Sequence, residues 1–133
     1  MKILIFTPRY LPQINGNTTT VERLVDGLED KGIYAKVVDL SVIKDKELIL
    51  ETSEEFNPDI IHGFHALKGA VIALEMAQKL KKPLITTITG TDVNHDLFNP
   101  EKRKKVAEMS GLTLEELEEW RKETRASLEV KYG

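Results

Sequence analysis

The sequence predicts an α/β fold in which helices cover both faces of a parallel β-sheet. Three observations support this prediction. Short apolar runs alternate with amphipathic segments over the first 98 residues, which is the pattern of successive strand–helix–strand crossovers. The chain has 133 residues, of which 41% are apolar and 31% charged, as in one globular domain. Charged side chains crowd residues 101–133, which indicates a polar helical tail.

The predicted strands and helices follow from local patterns taken in chain order. Residues 2–7 form a nearly continuous apolar run, as expected of a strand that is buried on both faces. The helix after it shows apolar residues at helical spacing, with Thr19 and Glu22 as a capping box and Gly32 as its end. Three further strands are predicted at 34–40, 59–62 and 84–88, and two further helices at 44–56 and 67–80.

The connections between these elements predict the strand order. Right-handed crossovers between successive strands give a parallel sheet, and we expect about four strands in the order 2-1-3-4, which makes the sheet Rossmann-like. This order has its switch point between the first and third strands. Ligands of such sheets bind beyond the carboxyl ends of the strands, so we expect the functional residues there.

A helical hairpin is predicted after the sheet. Asn99 and Pro100 are typical of a helix start, Gly111 of a helix end, and Thr113 with Glu116 forms a second capping box. The chain therefore divides into a body, 1–98, and a helical tail, 99–133. An apolar stripe along the last helix, which includes Trp120, predicts either packing on the body or association with another subunit.

Composition excludes several classes of function. With no cysteine, the chain has no disulfide, no thiolate nucleophile and no cysteine zinc site. A net charge of −3 argues against a nucleic-acid partner. The chain lacks an apolar run of about 18 residues that could span a membrane, and its apolar N-terminal run is too short for a signal peptide. We therefore expect a cytoplasmic protein, and we predict neither a metal nor a cofactor.

The loop after the first strand is the first candidate binding element. It runs over residues 8–18, longer than the two to six residues usual for such a connection. Gly16, between Asn15 and Asn17, allows a ligand to approach the backbone. The loop leads into a helix N-terminus, which favours anions, although neither a G-x-G-x-x-G nor a Walker motif is present. It either contacts an anionic or sugar ligand or is a structural connector.

Polar residues also follow the third and fourth strands. His62 and His65 end the third strand, and Thr89, Gly90 and Asp92 follow the fourth. Hydroxyl, imidazole and carboxylate groups suit recognition of a hydroxylated ligand, whereas the histidine spacing matches no standard zinc motif. We predict substrate binding at these positions, with ordinary turn residues as the alternative, and assign no catalytic residue.

Four segments together resemble glycosyltransferase family 4, whose members have two Rossmann-like domains. Residues 10–21 (YLPQINGNTTTV) resemble the family's Y-P-P-x-x-G-G loop and the helix after it. Residues 31–37 (KGIYAKV) resemble its R-G-H-x-V turn, and residues 59–65 (DIIHGFH) its D-V-V-H-x-H strand end. Residues 83–92 (PLITTITGTD) resemble P-x-V-x-T-x-H-G-x-D. Asn15 replaces the first glycine of the loop, and Thr89 replaces the histidine of the last segment.

The resemblance implies the N-terminal, acceptor-side half of a retaining glycosyltransferase that uses a nucleotide-diphosphate sugar. A second domain or subunit would bind the donor, so the 133-residue chain is expected to be inactive alone. Donor and acceptor would then be ligands of the complete enzyme. Two alternatives remain: a small Rossmann-like module that binds a phosphorylated ligand, and an assembly protein that forms homo-oligomers through its tail.

Overall fold

The computed structural model describes residues 1–10, 16–88, 99–111, 113, 115, 116, 118 and 119. Four strands of the described residues form one parallel sheet in the order β2-β1-β3-β4, which confirms the predicted α/β class and strand order. The elements are β1 (Lys2–Thr7), α1 (Gly16–Asp30), β2 (Tyr34–Asp39), α2 (Lys46–Phe56), β3 (Ile60–Phe64), a π-helical segment (His65–Gly69), α3 (Ala70–Leu80), β4 (Leu84–Thr87) and α4 (Arg103–Ser110).

Helices cover both faces of this sheet, as predicted. Leu4, Phe6 and Ile61 point to one face, where they pack in a core cluster with side chains of α2 and α3. Ile3 and Ile5 point to the other face, where they pack with Val21 and other residues of α1. Because successive side chains of a strand alternate between faces, β1 contributes to both clusters and is buried throughout its central residues.

The first helix is longer than predicted. It begins at Gly16, so Thr19 lies inside the helix and its predicted capping role is wrong. Thr18 and Val21 are both buried, and packing of this first turn therefore extends the helix beyond the local capping signal. At the other end, Gly32 adopts a φ of +76°, which confirms it as the residue that ends the helix.

The tail begins with a helix that packs on the body. Val106 and Met109 of α4 are buried against Ala66 of the π-helical segment and Ala70 of α3. Gly111 ends this helix with a φ of +72°. These contacts attach the first helix of the predicted hairpin to the body, at the side of the sheet that α3 covers.

The start of the next helix carries the predicted capping box. The backbone N–H of Glu116 donates to Thr113 Oγ1 over 3.1 Å, and the Thr113 N–H donates to Glu116 Oε1 over 3.4 Å. Trp120 and the rest of its apolar stripe lie outside the described residues, so the role of that stripe stays a prediction. Within the described part of the chain, no helix has the length and apolar character needed to cross a membrane.

Candidate functional site

The carboxyl ends of β1, β3 and β4 lie next to one another at one edge of the sheet. In the parallel registers, Phe6 of β1 pairs with Gly63 of β3, and Phe64 pairs with Thr87 of β4. The switch point lies between β1 and β3, where neighbouring crossovers leave the sheet on opposite sides. Side chains near these ends therefore form the candidate site.

His62 and Thr87 form the polar pair of this edge. His62 Nε2 lies 2.7 Å from Thr87 Oγ1, and the imidazole stacks on the Phe64 ring at a centroid distance of 4.5 Å. By strand alternation, His62, Phe64 and Thr87 share the sheet face that α1 covers. Neither His62 nor Thr87 is fully buried, so both remain within reach of a ligand.

Burial sets the protonation state of His62. Partial removal from water disfavours the imidazolium and lowers the pKa of His62 below its ordinary value of 6.5. The ring is therefore neutral at physiological pH, with one nitrogen that donates and one that accepts. A neutral imidazole beside a threonine hydroxyl offers a hydrogen-bond donor and an acceptor without a fixed charge.

His65 occupies a different position from the one expected of a ligand-binding side chain. It is buried, and its Nδ1 accepts the backbone N–H groups of Leu67 and Lys68 at 3.2 and 3.3 Å. Its φ of +73° is unfavourable for a residue with a Cβ atom. The structure thus uses His65 to hold the turn into the π-helical segment, and contact between His65 and a ligand stays a prediction.

Two glycines allow the chain after β3 to pass close to the sheet. A Cβ atom on Gly69 would lie 2.8 Å from the Phe6 carbonyl oxygen, so a side chain does not fit between this segment and β1. Gly63 similarly faces the backbone of Ala70. These approaches fix the π-helical segment at the switch point, a geometry that the predicted α-helix over 67–80 did not contain. The close backbone approach at the two glycines explains the difference, because it leaves no hydrophobic periodicity in the sequence.

The start of the first loop is tied to β2 by a residue that sequence reasoning missed. The Tyr10 N–H donates to Asp39 Oδ2 over 3.0 Å, and Asp39 Oδ1 accepts from the Ser41 N–H. Thr7 Oγ1 donates to the Arg9 carbonyl over 3.0 Å. An aspartate at the end of an apolar strand was the available signal, since such a group needs hydrogen-bond donors nearby.

The remaining predicted site residues divide into two groups. Gly16 and Asn17 lie in the first turn of α1, and this turn contains no acidic residue. The others lie outside the described residues, and their place in the site stays a prediction: Asn15, Thr89, Gly90 and Asp92. Across the described ranges, no cluster of three or more histidine and carboxylate side chains has a geometry suited to a metal ion.

Comparisons with known proteins add little to this geometry. No protein-family model matches the chain, and no curated protein matches it. Among solved structures, the chain is similar to the solution structure of a phosphate-loop protein, with 21% identity and a TM-score of 0.46. That likeness covers 84% of this chain and 90% of the other. A likeness of this degree does not bear on ligand or activity.

Proposed function

We propose that this chain is the N-terminal, acceptor-side domain of a retaining glycosyltransferase that uses a nucleotide-diphosphate sugar. The observation that carries the proposal is the His62–Thr87 pair at the carboxyl ends of adjacent strands. His62 lies in the third of the four segments that resemble glycosyltransferase family 4, and Thr87 lies in the fourth. The strand order supports the proposal because it puts the ends of β1, β3 and β4 at one edge.

In this proposal, the pair orients a hydroxyl group of the sugar ligand. The neutral His62 ring and the Thr87 hydroxyl offer both a donor and an acceptor, which matches the two roles of a sugar hydroxyl. Stacking on Phe64 fixes the plane of the imidazole, so little rotational freedom is lost on binding. A second domain or subunit supplies the groups that hold the donor, since transfer needs both substrates in near-attack geometry.

One observation favours a second candidate, a module that binds a phosphorylated ligand. The first turn of α1 contains no acidic residue, and this turn follows β1 at the carboxyl edge of the sheet. Free N–H groups and the helix dipole favour an anion at such a position. Binding of inorganic phosphate at this turn with an affinity equal to that of a nucleotide sugar would favour this candidate.

The test is a titration of the ¹⁵N-labelled chain with nucleotide sugars that differ in base and sugar, followed by backbone amide NMR. Inorganic phosphate and the free sugars serve as partial ligands. We expect the amide shifts to concentrate at the ends of β3 and β4, around His62 and Thr87. Weak affinity is expected because one domain of a two-domain cleft makes only part of the contacts.

A pair of variants on one strand separates ligand binding from a general effect on the sheet. Thr87→Val removes the hydroxyl that contacts His62, whereas Thr86→Val makes the same change at the neighbouring position, which points to the α3 face. Thr87→Val should weaken binding about 5- to 10-fold, as expected for a lost hydrogen bond. Equal binding by both variants, or shifts confined to another part of the sheet, would contradict the proposal.

A further inference from the structure

A second concave site lies on the opposite face of the sheet from His62. It is a cavity of about 290 Å³, near the lower end of the range for small-molecule sites. Among the described residues, six line it, from the chain after β1 and β2, from α2 and from the chain after β3: Pro8, Leu40, Lys44, Ile49, Lys68 and Ile72. Nothing in the proposed transferase function uses this cavity.

The floor of the cavity is apolar and belongs to the core. Ile49 is buried, and Leu40 and Ile72 are partly buried against the cluster that joins the sheet to α2 and α3. A floor of this kind holds an aliphatic group, because the water displaced from it has few hydrogen bonds to the protein. Since these side chains are packed in the core, the shape of the floor is set before a ligand arrives.

Two lysines give the cavity a positive charge. Lys44 and Lys68 line it, and among the described residues the lining includes no acidic side chain. Glu75, three residues after Ile72 on α3, pairs with other lysines, with Lys46 Nζ at 3.3 Å and Lys79 Nζ at 3.6 Å. Within the described ranges, neither Lys44 nor Lys68 forms a salt bridge with a carboxylate.

Two carboxylates that are sequence neighbours of lining residues also have hydrogen-bond partners. Asp39 accepts hydrogen bonds from the Tyr10 and Ser41 backbone, and Asp45 accepts from the Glu47 N–H over 2.9 Å at the start of α2. Two lysine side chains that line an apolar floor, neither in a salt bridge with a carboxylate of the described residues, favour a ligand that is both anionic and apolar.

We propose that this cavity binds a small amphipathic anion, with an aliphatic body on the apolar floor and a phosphate or carboxylate group at Lys44 and Lys68. The proposal is independent of the transferase function, because the cavity lies on the α2–α3 face whereas His62 and Thr87 lie on the α1 face. Each site can therefore be tested while the other is left intact.

The experiment titrates the ¹⁵N-labelled chain with n-octyl phosphate, n-octanoate, n-octanol and inorganic phosphate in parallel. We expect octyl phosphate to shift the amides of Leu40, Ile49 and Ile72, and octanol and inorganic phosphate each to bind at least about tenfold more weakly. Whichever of octyl phosphate and octanoate binds more tightly identifies the preferred head group. Octanol that binds as tightly as both anions would overturn the proposal.

Matched lysine variants test the charge directly. The double variant Lys44→Gln, Lys68→Gln should weaken binding of octyl phosphate about fivefold, since each exposed charge contributes modestly. Lys46→Gln removes one charge that is already paired with Glu75 and should change affinity less than about twofold. Retained amide dispersion shows that each variant is folded. Unchanged affinity in the double variant, or an equal loss in Lys46→Gln, would contradict the assignment.

A third variant tests the apolar floor. Ile72→Phe places a larger side chain in the cavity floor and should reduce binding of octyl phosphate by at least about tenfold. Thermal unfolding of this variant establishes that the fold persists. Undiminished binding in a folded Ile72→Phe variant, or shifts that appear around His62 instead, would show that the aliphatic body binds elsewhere.

Discussion

Replacing Gly63 with alanine should loosen the contact between β3 and α3 and destabilise the protein. A Cβ atom at this position would lie 2.6 Å from Ala70 Cα and 2.8 Å from Ala73 Cβ. Favourable contacts between carbon atoms lie at about 3.5–4.0 Å, so α3 must move away from the sheet by about 1 Å. The atoms in the way belong to a helix backbone and to a methyl group, neither of which can rotate aside.

The expected cost follows from what α3 holds in place. Ala73 and Met76 are fully buried in the core cluster, so a displaced helix disturbs the packing of its buried face. Overpacking of this kind costs about 1–3 kcal/mol. For a chain of this length, that corresponds to a fall in melting temperature of about 4–12 °C.

A second glycine provides the matched control. Gly27 lies on the exposed side of α1, with no atom within 4 Å of an added Cβ atom. Gly27→Ala should raise stability by about 0.5–1 kcal/mol, since alanine favours the helix. Both variants can be compared by thermal and urea unfolding followed by circular dichroism. A Gly63→Ala protein as stable as the wild type would refute the close approach of α3 to β3.

Three further predictions concern other parts of the fold. Val106→Ala should cost about 2 kcal/mol by opening a cavity under α4, whereas Lys104→Ala on the exposed side should change the free energy of unfolding by less than about 0.5 kcal/mol in urea titrations. His65→Ala should lower the free energy of unfolding by about 2–4 kcal/mol, because two backbone N–H groups lose the imidazole nitrogen that accepts them. His65→Asn should recover at least half of that loss, since asparagine tolerates the positive φ of this position. For His62, the unfolded chain binds a proton at a higher pH than the folded chain does, so the free energy of unfolding should fall as pH drops below about 6.5 and level off below the folded pKa. His62→Gln should flatten this part of the pH profile in denaturant titrations, and an unchanged profile would contradict the assignment.

The sheet was predictable because the sequence patterns that indicate its strands are local and recur along the chain. Four short apolar runs separated by helical patterns leave few topologies once crossovers are right-handed, and the observed order is the expected one. Gly32 and Gly111 were predicted as helix ends because a positive φ strongly favours glycine. The Thr113–Glu116 capping box was predictable for a similar reason, since its two residues satisfy each other.

The chain after β3 was not predictable in the same way. His65 adopts a positive φ that its residue type disfavours, and only the contacts around it hold that conformation. The π-helical segment depends on the close approach of Gly69 to the carbonyl groups of β1 and β3. Neither feature leaves a periodic pattern in the sequence. The cavity lined by Lys44 and Lys68 was missed because its residues come from four separate parts of the chain.

Much of the predicted site lies outside the described residues. His62 was expected within reach of the Thr89–Asp92 turn, and that contact stays a prediction. In the described structure His62 Nε2 lies 2.7 Å from Thr87 Oγ1, two residues before Thr89, because the 2-1-3-4 order makes β3 and β4 neighbours. His65 was grouped with His62 because both lie at the end of the third strand. Its ring is buried and its Nδ1 accepts backbone N–H groups, a role in the turn that its position after a strand did not indicate. Contact between His65 and a ligand stays a prediction.

The imidazole of His62 offers the most direct measurement of the proposed function. Its ring ¹⁵N resonances report protonation and hydrogen bonding at Nε2, the atom 2.7 Å from Thr87 Oγ1. On addition of a nucleotide sugar, we expect these resonances and the apparent pKa of His62 to shift in a saturable way, with Thr87→Val reducing the effect. Binding of a nucleotide sugar that leaves the His62 resonances unchanged would contradict the proposed role of the carboxyl ends of β3 and β4.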